Sequence, residues 1–484
     1  MIFSISLLLG KTGEFQLSQA RQEDFYQVAI SRYLPHMFSL PDRVLHIQAY
    51  LLLAMHALYS PSTERLVSIT STAMRYCVMA QLHLADAEPR AADVAAKVGI
   101  QLRRRVFWSA YALDRAVSTM FHLPFCIPDY QITTKMYANV DDADLYRRCE
   151  AAFPDDPHSQ PSYTNISAAL HIVYCRQIQS EILNTTLHRD FEKDFDRLPS
   201  WRRHILEKLD RWKSLCHRYT EDGARLSLVH EEWLHIVYNY SLLMLYQPNR
   251  QTAGGPAGDW TVKACVQTIL IFRKFQRESA ISEAWMGLIA QFKSGVALLY
   301  CFWATQGLSR SAAFDPSEVS EAVRCCSIVL SLLAERWHST KVLRDAFDIL
   351  AREVPLVNFV ASPSLRPKRI RPESSQKLLS LLSEIEAIVV HRDTLRMIRE
   401  MATEAFPVSH HQQASTLQLT QDAINNDPSN QILESDESPM GTAITGDLFQ
   451  PVTPHFFTLD TSNLEPDDFD YAALGFPGLF DPTI

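Results

Sequence analysis

Glycine is scarce: there are 14 in 484 residues, against the roughly 7% of an average chain. Folds built on glycine turns, doubly wound sheets and β-sandwiches among them, are thereby disfavoured. There is no Gly-x-Gly-x-x-Gly and no Gly-x-Ser-x-Gly elbow, so neither a dinucleotide site nor a nucleophile elbow is written in the chain. There is no Cys-x-x-Cys pair either. The nine cysteines are scattered, and Cys325-Cys326 and His410-His411 are adjacent pairs that cannot spread around a metal by themselves. A long chain with this cysteine pattern reads as an intracellular protein with reduced, mostly buried thiols. No segment alternates at period two long enough to claim a strand. "AYLLLAMHALY" is too short to span a membrane and contains His56. "MIFSISLLLGK" lacks the basic start and small-residue cleavage site of a signal peptide. The expectation is therefore a chain that is neither secreted nor membrane-bound.

Positive charge is absent from the end of the chain. After Arg399 there is no Lys or Arg, while 14 acidic residues follow. Residues 1–399 hold 46 basic against 41 acidic side chains, a net +5. A body that mildly basic lacks the excess expected of a freestanding DNA-binding domain. Beyond about residue 405 the sequence turns rich in Gln, Ser, Thr, Asn and Pro and loses periodicity, which predicts a disordered acidic tail over 406–484.

The rest reads as consecutive helices, so the fold class expected is all-α, a multi-helical domain over 14–405. In "QLRRRVFWSAYALDRAVSTMFHLPFCIPD" (101–129), Val106, Ala110, Leu113, Val117 and Met120 form one apolar stripe at helical spacing. Phe107 and Tyr111 widen it, and Arg104, Trp108 and Arg115 line a neighbouring face. Pro124 and Pro128 end the helix and force extended backbone ahead of Asp129. The reading is an amphipathic helix with a stiff exit. Residues 140–165 are polar and proline-bearing and read as a long loop, as does "QTAGGPAGDW" (251–260). A final helix pair covers 375–405.

Three catalytic lookalikes fail on spacing. "LLLGKTGE" has Ile5 where a phosphate loop needs glycine. In "HEEWLH", His230 and His235 are five apart, roughly 140° around a helix instead of on one face. In "DDADL", Asp141, Asp142 and Asp144 are followed by Leu145 where a magnesium-binding cyclase motif needs a carboxylate. No catalytic, cofactor or metal residue is assigned, and the all-α cyclase is the weakest of the readings. "RPKRIRP" places Arg366, Lys368, Arg369 and Arg371 in an extended, proline-bounded stretch, the form that import receptors read. Arg103, Arg104 and Arg105 start an otherwise apolar helix and suit structural pairing better than phosphate contact. In the tail, acidic residues surround Phe469, Tyr471, Leu474, Phe476, Leu479 and Phe480. That alternation keeps aromatics solvated until a coactivator groove accepts them.

The 101–129 stretch and its flanks resemble the fungal-specific transcription factor domain, the middle homology region of zinc-cluster regulators. The likeness rests on Arg103-Arg104-Arg105-Val106-Phe107-Trp108, on Leu113-Asp114-Arg115, and on Pro124 and Asp129 in the segment 123–129. "HIQAYLLLAMHALY", "AMRYCVMAQLHL" and "YNYSLLMLYQPN" stand in the family's order, and the likeness covers about residues 25–310. His122-Leu123 replaces the family's Gly-Arg, and Gln247 stands where Arg is common. The resemblance implies a nuclear, pathway-specific activator of a secondary-metabolite or nutrient gene set, with Arg103, Arg104, Arg105, Trp108, Asp114, Arg115, Pro124 and Asp129 as structural residues. It implies zinc only in an upstream six-cysteine cluster not seen here. DNA contact would then come through that missing domain or a partner, and the tail would engage coactivators. A homodimer and a DNA-free co-regulator stay open.

Overall fold

A computed structural model of the protein describes residues 1–9, 23–152, 164–187, 198–221, 231–277, 284–305, 314–356 and 369–405. Helices and turns make up these residues, and no strand occurs among them. In chain order the helices are α1 (Ile2–Leu9), α2 (Leu34–Ser39), α3 (Arg43–Ala57), α4 (Thr63–Met79) and α5 (Val94–Phe121). Then come α6 (Asp142–Ala151), α7 (Ser167–Thr186), α8 (Pro199–Glu221), α9 (Glu231–Leu245) and α10 (Pro256–Arg277). The last are α11 (Ala284–Ala304), α12 (Pro316–Arg336), α13 (Lys341–Glu353), α14 (Pro372–Val389) and α15 (Arg392–Thr403).

Local chemistry sets many of the boundaries. Asp42 caps α3 by accepting from Val44 N at 2.8 Å, and Ser62, after Pro61, caps α4 by accepting from Arg65 N at 3.1 Å. Asp93 caps α5 by accepting from Ala96 N at 2.7 Å. Asp315 followed by Pro316 opens α12, where proline's missing N–H costs nothing. At the other end of α5, His122 takes left-handed backbone, φ 56° and ψ 48°. The turn Ala29–Tyr33 just before α2 is a π-turn. Pro35 has no N–H to offer the carbonyl of Ser31, and widening the preceding turn accommodates that loss.

Two helices organise the packing. α5 lies against α3, α4, α6, α7 and α11, while α11 lies against α5, α10, α12, α13 and α15. One continuous apolar core joins them. The turn between α3 and α4 is fastened to α11 twice, with Trp285 N donating to Leu58 O at 3.1 Å and Trp285 Nε1 to Thr63 Oγ1 at 3.2 Å. Thr63 Oγ1 in turn donates to Ile388 O at 2.7 Å, which brings in α14. α11 is long and apolar enough to cross a membrane by length and composition alone, yet 94% of that stretch is buried inside the protein. It is the central core helix of the second half. Gly295 permits the closest approach: a Cβ there would stand 2.6 Å from Phe347 Cε2 and 2.7 Å from Cys326 Sγ.

Three sequence expectations need correction. Residues 142–151, read as loop, form α6. Leu145 and Cys149 are buried four residues apart, and Asp142 and Asp144 sit in the first turn, where the helix dipole favours them. The loop assigned to 251–260 ends at Pro256, which begins α10. And α5 is not amphipathic along its second half: every residue from Arg104 to Phe121 is buried. Its polar side chains face other protein, not water. All nine cysteines are free, eight of them buried and Cys126 half-buried.

Candidate functional site

The exit of α5 gathers Asp114, Arg115 and Asp129 into one ion network. Arg115 is fully buried, and its guanidinium donates to Asp114 Oδ2 at 2.6 Å and to Ile127 O at 2.7 Å, with Asp129 Oδ1 at 3.4 Å. The same group lies between the Tyr111 and Phe125 rings, 4.2 Å from each centroid. Tyr111 Oη donates to Asp129 Oδ1 at 2.6 Å, and Ser180 of α7 donates to Asp129 Oδ2. Burial raises the Asp114 carboxyl, and Arg115 beside it opposes that. Cys126, which hydrogen-bonds Asp114, is pushed up to about 12 by burial first and that carboxylate second.

Nearly three turns earlier, Arg104 makes a two-pronged bond to Glu88, 2.6 and 2.8 Å, and Arg105 pairs with Asp142 while donating to Val140 O at 3.0 Å. Trp108 is 4% exposed and donates from Nε1 to Lys135 O at 2.9 Å. Arg103 is half-buried on the flank of the helix, and Pro124 is exposed on the turn beyond it. These residues clamp the irregular segment 123–140, with its 3-10 turn at Asp129–Gln131, along α5. The buried guanidiniums at 104, 105 and 115 are occupied by carboxylates and carbonyls, so no phosphate-facing row exists there.

Between α7 and α8 lies a groove of about 430 Å³, the size of a small-molecule site. Its floor carries His171, Tyr174 and Trp212, and Trp212 Nε1 donates to His171 O at 2.7 Å. Its rim carries Gln177 and the ion pair Lys208–Glu181 at 2.5 Å. A largely apolar floor with two cations, Lys208 and Arg211, a carboxylate and an amide at the edge suits a small polar organic molecule. Sequence reasoning missed this groove. His171, Tyr174, Ile178 and Glu181 recur at helical spacing, but that spacing is the same whether the face meets core or a cleft.

A second polar cluster sits where α5 ends against α11 and α15. His122, His391 and Asp393 offer ligand atoms that all lie within 4.8 Å of one another. Both imidazoles are driven toward the neutral form. Burial lowers His122, with Asp393 opposing, and lowers His391 well below the ordinary range, with Lys293 adding to the effect. Lys293 is lowered to about 7 by burial, with Asp393 opposing. Its ammonium donates to Met120 O at 2.8 Å and to Tyr240 Oη at 3.2 Å. The space enclosed is about 50 Å³.

Of the basic stretch, Arg369 and Arg371 are exposed, while Ile370 between them is buried. Arg371 is already bonded to Glu353 at 2.6 Å. Arg366 and Lys368 lie outside the described residues, as do the tail positions Phe469, Tyr471, Leu474, Phe476, Leu479 and Phe480.

Comparison with known proteins supplies what geometry cannot. Residues 1–214 match the family described as the fungal specific transcription factor domain. The chain is 25% identical over 343 residues to the pyrimidine pathway regulatory protein 1 of Saccharomyces cerevisiae, covering 69% of this chain and 37% of that one. It is also 25% identical over 404 residues to the positive regulator of purine utilization of Emericella nidulans, covering 68% of this chain and 37% of that one. The chain thus spans a little over a third of the length of these curated relatives. No solved structure matches it.

Proposed function

We propose that this chain is a pathway-specific regulator of transcription that acts in a fungal nucleus and activates a metabolic gene set. The observation that carries the reading is the alignment of two-thirds of the chain with two proteins named as regulators of pyrimidine and purine pathways. The family match over 1–214 and the emptiness of the catalytic inventory agree with it. In this reading the helices form a regulatory domain, and the groove between α7 and α8 receives a small polar metabolite whose binding sets activity. The acidic, aromatic-rich tail recruits coactivators, and a domain or partner other than these helices reads DNA. The net +5 of residues 1–399 supports that division, since strong DNA binding draws on a larger basic excess. The stretch at 366–371 serves as the import signal.

The experiment is a reporter assay with residues 431–484 fused to an unrelated DNA-binding domain. Activation is expected, with alanine at Phe469, Tyr471, Leu474, Phe476, Leu479 and Phe480 abolishing it and asparagine at the aspartates only reducing it. A silent fusion removes the activator role. In parallel, Lys368, Arg369 and Arg371 changed to alanine should leave a fluorescent full-length fusion outside the nucleus.

A further inference from the structure

His122 closes α5 in left-handed backbone, as Gln81 and Val390 do at the ends of their own helices, a common way for a helix to stop. The ring is placed there for little visible return. Both His122 nitrogens are buried without a hydrogen-bond partner, and Asp393 Oδ2, 3.8 Å from His122 Nδ1, also lacks one. Folded proteins leave few such groups unsatisfied, and His122 Nδ1 facing Asp393 Oδ2 across a gap too long for a hydrogen bond calls for an occupant. The His391 ring completes the set, its centroid 5.1 Å from that of His122.

The geometry points to a divalent metal site of the zinc class formed by His122, His391 and Asp393, whose ligand atoms converge to within 4.8 Å. Two imidazoles and a carboxylate are a donor set that zinc takes in three-ligand sites, with water in the fourth place. The enclosed space of about 50 Å³ admits an ion with a water and is far too small for a metabolite.

The neighbouring cations are directed elsewhere. Lys293 donates to Met120 O and Tyr240 Oη and Arg392 to Leu187 O at 3.2 Å, while Arg396 donates to Glu400 and Pro248 O and approaches only Asp393 Oδ1, at 3.8 Å, which leaves Oδ2 free for a metal. His391 Nδ1 caps α15 by accepting from Thr394 N at 3.3 Å, with Thr394 Oγ1 3.1 Å away. Coordination through Nε2 would require the proton to move to Nδ1, which then gives up the bond from Thr394 N and donates to Thr394 Oγ1 instead. The metal would join the last turn of α5 to the first turn of α15, segments that meet only through the tertiary fold. This site stands independently of the regulatory reading.

The test is titration of the purified, chelator-treated full chain with cobalt(II) and then zinc alone. One equivalent of cobalt should give visible bands of nitrogen–oxygen coordination without a thiolate charge-transfer band, which separates this site from the nine cysteines. Zinc should displace the cobalt and raise the melting temperature. His122→Gly relieves the left-handed strain and so should fold at least as well as the parent. It should lose affinity by at least the roughly 100-fold that removal of an outer-shell partner already costs, along with the zinc-dependent rise in melting temperature. Asp393→Asn should follow it. Absence of cobalt bands at one equivalent, a thiolate band, or undiminished binding in either variant overturns the proposal. The last set of outcomes would leave a bridging water as the occupant.

Discussion

Removing the charge of Arg115 should reveal how much the α5 exit depends on one buried pair. In Arg115→Met, Asp114, 2% exposed, loses its partner at 2.6 Å, and Ile127 O loses a donor at 2.7 Å. Breaking one side of a buried ion pair costs about 3–5 kcal/mol, and an orphaned carbonyl alone about 1–3. The two do not add in full. The Asp114 carboxyl is already raised by burial, so it can take up a proton and cap the loss, which leaves about 3–5 kcal/mol in all. Asp114→Asn should cost less, about 1–2 kcal/mol, because Arg115 retains Ile127 O and Asp129. The double variant should then be more stable than the sum of the two, by about 1–2 kcal/mol of coupling. Equilibrium urea unfolding at pH 7, followed by circular dichroism and by tryptophan fluorescence, measures all four proteins. Coincident transitions are needed to license the comparison. An Arg115→Met protein within 1 kcal/mol of the parent would refute the reasoning, as would strict additivity of the pair.

Three other outcomes follow from the packing. Trp108→Ala should cost about 3–5 kcal/mol by leaving a cavity beside Phe107 and Tyr111, whereas Trp108→Phe should lose only about 1 kcal/mol with the bond to Lys135 O; similar melting temperatures for the two variants would contradict this. Gly295→Ala should destabilise by about 1–3 kcal/mol through overlap with Phe347 and Cys326, despite gaining about 1 kcal/mol in helix propensity, and a stabilised variant would show that the α11–α13 contact relaxes freely. His56, stacked on Tyr26 with centroids 4.0 Å apart, is lowered by burial from 6.5 to about 4. The unfolded chain therefore binds the extra proton first, and stability should fall as pH drops from 6.5 towards 4, by up to about 3 kcal/mol in all. His56→Phe should flatten that slope, and equal urea midpoints lost by parent and variant between pH 7 and pH 5 would exclude His56 as the cause.

Helix content and the buried stripe of α5 were legible in the sequence. The 3.6-residue periodicity acts between residues at most a few positions apart, so the order of residues alone encodes it. The acidic tail was legible for the same reason, being a matter of composition. What periodicity could not tell was what each face meets. The sequence alone made α5 amphipathic and suited Arg104, Arg105, Asp114 and Arg115 to structural roles, without naming what they pair with. Only the fold supplies Glu88, Asp142, Ile127 and Asp129 to bury them against. Residues 142–151 were read as loop because their polar character outweighed two buried positions, Leu145 and Cys149, whose significance depends on α5 lying beside them. The groove between α7 and α8 and the meeting of His122 with His391 and Asp393 were invisible beforehand. The groove lies between two consecutive helices and the cluster between helices far apart in the chain, and in both the distances are set by how whole helices pack, not by any local rule of sequence.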